Sequence, residues 1–535
     1  MATFKAIFLL LAMVGSAGLA SAQNRYIVHF KDKNSSPYSV SQPQQFLSPR
    51  AIARRIKQEI PVVEADIPVN PSYVQQLRTA GAKVFYSSRW MNCALVQAST
   101  TIASSLSALS FVDKVEYVAA DPKQQGGRIG WIKGRNQAGV AEATRAQLQM
   151  VGIDDMQSDD IYGKGVHVAF LDAGFDGVDT AAPFQHLFQD NRIIQVHDFV
   201  QNTKDVYRYD EHGTEVLSVI AASSGTYTGG AHQASFYLYV TEEGPTEYRV
   251  EEYNWLFAAE RADSAGVDII SSSLGYNTFD DKTMNYDKTT DLDGKKAVIT
   301  KAATLAIERG IVVICSAGNE GNNSWGTITP PADADGIIAV GSVTSTGARS
   351  NFSSRGPTSD NRIKPDVVAM GSGVSVIRPN GTNGYASGTS LAAPIVTSLI
   401  AGLIERFPDI DPNIVAQQVV QTASQYDNPD NLLGYGIPNY YAAKAALENM
   451  TPFEEISVYP NPTDTGKFLV QFKTIDVQAT ITVYDLQGKM LSTHVVEVKR
   501  SNNPLEIDVA NLPASSYLVK VKTSDNFKTF RLVKL

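Results

Sequence analysis

Short, largely apolar runs recur through the middle of this chain: Val166–Leu171, Ala234–Val240, Val267–Ser272 and Ile311–Ser316. Apolar runs of this length, bounded by small and turn-forming residues, read as strands buried on both faces. Between and before them lie longer stretches with helical spacing, His212–Ala222, Tyr253–Ala265 and Thr300–Glu308, and beyond them Ile395–Ile404 reads as a buried helix. Strand and helix in alternation predict an α/β domain: a parallel sheet with helices on both faces, in three layers.

The two flanks have different patterns. From Arg25 to about Ala120 the chain reads as a small α+β domain, opening on the strand Tyr26–Phe30 and closing on strands near Ala94–Gln97 and Val115–Val118. Residues 121–144 turn polar and glycine-rich, which predicts an exposed linker open to cutting. After Leu447 come short alternating segments, Ile456–Tyr459, Phe468–Phe472, Ala479–Tyr484, Val496–Val498, Leu505–Val509, Tyr517–Lys522 and Phe527–Leu532, expected to form a small all-β sandwich over 452–535. Tyr459, Tyr484 and Tyr517 fall in these strands and are expected in its core.

Composition narrows the classes. A length of 535 residues implies several domains, and 43% hydrophobic with 19% charged residues is ordinary for globular protein. The net charge of -9 gives no footprint for nucleic acid. Two cysteines, Cys93 and Cys315, exclude a disulfide framework or a cysteine-rich metal site. Met1–Ala22 has the pattern of a secretory signal, with Lys5, an apolar stretch Ala6–Val14 and the small residues Ala20-Ser21-Ala22. The expected organisation is therefore a signal at 1–22, a first domain at 23–120, a linker at 121–144, a central domain at 145–447 and a sandwich at 452–535.

Candidate chemistry lies at the ends of the central runs. Asp172 ends the first, where open α/β sheets place their sites. The glycines Gly163 and Gly165 precede that strand instead of following it, which excludes a dinucleotide fingerprint. His212 opens a helical stretch in Glu211-His212-Gly213-Thr214, a setting for a general base. Zinc at His212 with Asp210 or Glu215 lacks a second histidine at metal spacing, and His232 reads as a loop residue. Ser273-Leu274-Gly275 and Ala317-Gly318-Asn319 leave two strands as small-residue segments, and Asn319 carries an amide able to donate to an oxyanion. Gly388-Thr389-Ser390 places a hydroxyl at the start of the last helix. Taken singly, each has an ordinary reading as a cap or turn residue.

Taken jointly and in order, D-A-G at Asp172, H-G-T at His212, S-S-L-G at Ser272–Gly275, S-A-G-N at Ser316–Asn319 and G-T-S-L-A-A-P at Gly388–Pro394 resemble the subtilisin-like serine proteases. The order Asp, His, Ser is that of subtilisin itself. The resemblance implies a Ser390, His212, Asp172 triad, an oxyanion hole at Asn319, and substrate pairing along Ser273, Leu274, Gly275, Ala317 and Gly318. It further implies a secreted endopeptidase of broad specificity, and an inhibitory, self-removed propeptide over the first domain. No cofactor is expected for the chemistry. Structural calcium is common in the family, with ligands not readable from this sequence. The Y-P-N-P string at Tyr459–Pro462, Ile481–Lys489 and the basic C-terminal end resemble the type IX secretion sorting domain of Bacteroidota, implying a secretion-machinery partner and an extracellular or surface address. The alternative, a catalytically silent subtilisin-like binding or adhesion protein, would be expected to lose at least one of Asp172, His212, Asn319 and Ser390.

Overall fold

The computed structural model describes residues 23–120, 142–450 apart from 226 and 245, and 456–535 apart from 473–476, 500–501 and 524–526. The expected signal and nearly all of the expected linker lie outside the described residues. The chain divides into two units, one to Ala443 and one from Lys444.

The first unit begins with four antiparallel strands, β1 (Asn24–Phe30), β2 (Lys83–Ser88), β3 (Cys93–Ala98) and β4 (Val112–Ala119), in the order β2-β3-β1-β4. Three helices accompany them: α1 (Pro49–Lys57), α2 (Pro71–Thr79) and α3 (Thr100–Leu106). Their starts are written in the sequence. Ser48, Asn70 and Ser99 accept backbone N–H groups of Ala51, Ser72 and Ile102, and Pro49 and Pro71 occupy first-turn positions where no N–H is missed. Strand β2 and the excursion that holds α1 were not foreseen from the apolar pattern.

The central sheet has seven strands, all parallel: β5 (His167–Asp172), β6 (Ile193–Asp198), β7 (Ser235–Val240), β8 (Ile269–Ser272), β9 (Val312–Ser316), β10 (Ile338–Val343) and β11 (Val367–Met370). Their spatial order is β11-β10-β9-β8-β5-β7-β6. Four of the seven match the apolar runs; β6, β10 and β11 extend the sheet at its two margins. Helices α4 (His212–Ala221) and α7 (Thr389–Arg406) pack against each other, α7 also lying on β9 and β10, while α5 (Val250–Ala265) packs with α6 (Val298–Glu308). Helix α7 starts six residues before the apolar run that announced it, so Ser390 and Pro394 are helical. A helix from Glu142 takes up the end of the expected linker.

Helix α5 is buried almost all round, polar residues included, because the four-stranded sheet covers its outer side. Ile27, Trp90, Leu95, Val118 and Ala119 of the N-terminal region belong to the same apolar cluster as Trp255, Phe257 and Ala258 of α5. One face of the small sheet therefore completes the core of the central domain. Its other face has its own cluster, from Val28, Phe30 and Val96 to Leu77 and Leu106.

The second unit is all-β in two antiparallel sheets. Strands β12 (Ile456–Tyr459), β13 (Lys467–Phe472) and β16 (Leu505–Asp508) form one. The other is ordered β15-β14-β17-β18, from β14 (Val477–Tyr484), β15 (Met490–Val498), β17 (Ser515–Lys522) and β18 (Phe527–Lys534). Phe468, Val470, Ile481, Val483, Val519 and Leu532 share its core. Of the three tyrosines expected there, only Tyr517 is buried. Tyr459 is 39% exposed and Tyr484 half-buried, because alternation fixes which residues share a face and not which face meets the other sheet.

Candidate active site

Asp172 is the last residue of β5, at the carboxyl edge of the central sheet, and is 1% exposed. Its Oδ1 accepts the Ala173 backbone N–H and the His212 Nδ1–H, each at 2.7 Å. His212 opens α4 and is held from below as well, its backbone N–H donating to Asp210 Oδ1 at 2.7 Å. The bond to a carboxylate assigns the imidazole proton to Nδ1, which leaves Nε2 as the basic nitrogen. The glycines beside these residues make the approach possible. A Cβ on Gly213 would stand 2.2 Å from the Gly174 carbonyl oxygen, and one on Gly174 would stand 2.5 Å from Arg208 O and 2.7 Å from Asp210 N. The first turn of α4 rests directly on the chain leaving β5.

Ser390 is the second residue of α7 and is 3% exposed. Pro394, four residues on, has no N–H to give to the Ser390 carbonyl. The Ser273 hydroxyl fills that role, donating to Ser390 O at 2.9 Å, and the Ser390 hydroxyl in turn donates to Ser273 O at 3.4 Å. Asn319 stands on the other side. Its Oδ1 accepts both the backbone N–H and the hydroxyl of Thr389, at 2.9 and 3.0 Å, which fixes the amide and reserves Nδ2 as a donor. A Cβ added to Gly388 would be 3.6 Å from Asn319 Nδ2 and 3.7 Å from Ser390 N, so these two N–H groups flank one small space.

Segments Ser273-Leu274-Gly275 and Ala317-Gly318 leave neighbouring strands β8 and β9 at this same edge. Among the described residues, Leu274 and Gly275 make no backbone hydrogen bond to another backbone group. Thr329 lies between the two segments: a Cβ on Gly275 would stand 2.1 Å from its Oγ1, and one on Gly318 2.9 Å from it. That hydroxyl is buried without a hydrogen-bond partner among the described residues.

Residues 163–436, just over half the chain, match the Subtilase family. This chain is a subtilase. Residues 25–128 match the Bacteroidota peptidase S8 propeptide domain, and 457–534 the secretion system C-terminal sorting domain. The chain is 30% identical to serine protease AprX of Bacillus subtilis over 54% of its own length and 67% of that protein. It is 30% identical to subtilisin E of Bacillus subtilis over 57% of its length and 72% of that protein. A solved structure with the same fold, at a TM-score of 0.53 and 16% identity, is a serine-to-alanine mutant of the epidermin leader peptide processing protease of Staphylococcus aureus; the match covers 79% of this chain and 99% of that one. The subtilase is accordingly a serine-type endopeptidase, made with a propeptide, and its sorting domain marks it for export. No described helix is long and apolar enough to cross a membrane.

The candidate residues read from the sequence of this subtilase gather at one edge of the sheet. Three supporting contacts were not read from it: Thr389 clamping Asn319, Ser273 acting through its side chain, and Thr329 between the substrate segments. A signal for the second was present, since a proline inside a helix orphans the carbonyl four residues earlier. The metal alternative at His212 does not form: Asp210 is engaged by the His212 backbone and Glu215 pairs with Arg378. His232 sits in a turn, its ring 3.4 Å from Gly229 O, and burial lowers its pKa. Among the described residues the acidic group able to hold a metal is Glu242, Glu247 and Glu251, whose oxygens lie within 4.8 Å of one another. The chain's own donors already use part of it: Glu242 Oε1 accepts the Thr241 and Tyr276 hydroxyls, and Glu251 Oε1 the Glu243 N–H.

Proposed function

We propose that Ser390 is the nucleophile, His212 the general base and Asp172 the orienting carboxylate of a secreted endopeptidase. The observation that carries this reading is the buried 2.7 Å Asp172–His212 bond at the edge where Asn319 is clamped beside the Ser390 N–H. In the resting arrangement the Ser390 hydroxyl rests on Ser273 O. On substrate binding it turns to His212 Nε2, gives up its proton there and attacks the scissile carbonyl. His212, now cationic, is stabilised by Asp172 and returns the proton to the leaving amine. Asn319 Nδ2 and the Ser390 N–H receive the negative charge that develops on the carbonyl oxygen, and the start of α7 favours it further. Water then releases the acyl group by the same proton path. The chemistry draws on no metal or organic cofactor. A structural calcium ion is a separate proposal, decided by whether a chelator lowers Tm.

Pairing of the substrate backbone along Ser273–Gly275 and Ala317–Gly318 accepts many sequences, hence broad specificity. Thr329 narrows the crevice between those segments and favours a small or hydroxyl-bearing side chain at the residue before the scissile bond. The same Ser390 is proposed to cut the linker between about Asp121 and Thr144. Secreted material treated with a fluorophosphonate probe, with intact-mass readout, tests both ideas. One adduct, lost in Ser390→Ala, is expected on a chain lacking residues 23 to about 140, and Ser390→Ala should retain them. Wild-type hydrolysis by Ser390→Ala would overturn the triad, and normal processing of that variant in a protease-deficient host would assign the cut to another enzyme.

A further inference from the structure

After β1 the propeptide leaves its own sheet, and over residues 31–68 this excursion is not part of either apolar cluster that the sheet belongs to. No residue between Lys31 and Pro68 contributes to the cluster on the sheet's own helices or to the one it shares with α5. Its helix α1 instead lies against α5, and Gln58, just past the end of α1, meets the chain leaving α6. Beside the buried Leu47 and Ala51, the contacts there are largely polar. Ser48 N–H donates to Ser264 O at 2.9 Å, Arg50 Nε to Gly266 O at 2.9 Å, Arg54 to Val267 O, and Gln58 Nε2 to Gly310 O at 2.9 Å. Two cations, Arg50 and Arg54, are thus set just past the carboxyl end of α5, where partial negative charge gathers, and the neutral Gln58 amide meets the chain leaving α6.

At the centre is Asp263, fully buried on the last turn of α5. It accepts Arg54 at 2.6 Å and Arg55 at 2.8 Å from the excursion, and Arg89 from the turn after β2. Arg55 also pairs with Asp66 at 2.7 Å, and Asp66 with Arg309 of the catalytic domain at 3.1 Å. Arg50 pairs with Asp268. The fit is steric too. Gly266 and Gly310, at φ +85° and +84°, end the two helices, and a Cβ on Gly266 would stand 2.6 Å from Ala51 N, one on Gly310 2.0 Å from Gln58 Oε1.

We propose that residues 31–68 are a charge-coded anchoring arm. The carboxyl ends of α5 and α6 form a docking site for a basic helix of the chain's own propeptide, and this site, apart from the apolar face of the sheet, sets how long the cut propeptide stays on the enzyme. A buried ion-pair network adds little net affinity over an apolar contact of equal size, but a missing partner leaves a buried charge alone, which is costly. The arm therefore selects the cognate propeptide and slows its departure. The inference rests on the proposed cut of the linker, and the test separates the two.

The full-length Ser390→Ala chain, which stays uncut, is compared by hydrogen exchange with the same chain carrying Arg50→Leu and Arg54→Leu, and separately Gly266→Ala. Both changes should release protection over residues 43–66 while β5, β8 and β9 stay protected. In chains that retain Ser390, the delay between appearance of the cut propeptide and full peptide hydrolysis should shorten roughly 30-fold in both variants. An unchanged delay, or an arm that remains protected in both variants, overturns the anchor. Loss of protection across the central sheet overturns it as well, making the arm a folding element. Should no cut appear at all, the processing proposal fails while the exchange result still judges the arm.

Discussion

Two glycines show how single residues set the site's geometry. In a helix interior, replacing Gly by Ala ordinarily stabilises by about 1 kcal/mol. Gly213 should do the opposite, because its Cβ would stand 2.2 Å from the backbone oxygen of Gly174 and neither backbone can give without moving Asp172 from His212. Gly213→Ala is expected to cost about 1–3 kcal/mol of stability and to lower kcat more than it raises KM; thermal unfolding and peptide kinetics check both. Thr329 should act on choice of substrate and not on chemistry. Thr329→Gly is expected to raise the kcat/KM ratio of peptides with Phe over those with Ala before the scissile bond by roughly tenfold. A ratio unmoved on a paired Phe and Ala substrate set would place Thr329 outside the crevice a substrate uses.

Helix α5 is the element whose character depends most on its surroundings. Its buried polar residues find partners on several sides: Glu260 accepts from Ser88, Arg89 and Trp90 of the propeptide, Asn254 Nδ2 donates to Thr241 O, and Glu252 accepts from Tyr286 and the Ile299 N–H. Burial raises the Glu252 pKa from 4.5 to about 7, against the lowering effect of the Tyr286 hydroxyl, which donates to its oxygens at 2.9 and 2.8 Å. A carboxyl whose pKa is raised on folding stabilises the fold while protonated. That contribution is complete below about pH 4.5 and lost as pH rises through about 7. Glu252→Gln keeps the shape and cannot ionise. It is expected to stabilise by up to about 3 kcal/mol above pH 7 and to make no difference near pH 4, as read from denaturant unfolding across that range.

At the scale of the whole molecule, the two units carry separate duties. The unit from Lys444 has its own core and none of the proposed catalytic residues. Its match to a sorting domain points to the cell's export machinery as the reader of that surface. Deleting Thr451–Leu535 is therefore expected to leave an active protease that labels with fluorophosphonate but stays inside the outer membrane. Fractionation of cells and medium decides it: unchanged secretion refutes the assignment, and loss of activity on truncation would make the sandwich a stabilising part of the enzyme.

The sequence by itself determined the parts whose cause is local. Buried parallel strands need continuous apolar runs, so β5, β7, β8 and β9 could be read directly, with Asp172 at the end of one and Ser273 and Asn319 in small-residue turns after two others, while Gly388-Thr389 marked Ser390 at the start of its own helix. Ser48, Asn70 and Ser99 cap α1, α2 and α3 from within their own stretches, a local cause that the apolar pattern alone did not reveal. Strand β6 was not legible, since its pattern Ile-Ile-Gln-Val-His-Asp leaves half its residues only partly covered; β10 and β11, wholly buried runs, were passed over as well. What tertiary structure alone decided is how distant charges meet. Arg54 and Asp263 are 209 positions apart, and nothing local in either segment demands the other. The same holds for Thr389 on Asn319 and for Ser273 beneath Ser390: each is an ordinary polar residue in its own stretch, and acquires its work only where the folded chain leaves an N–H or carbonyl that must be satisfied away from water.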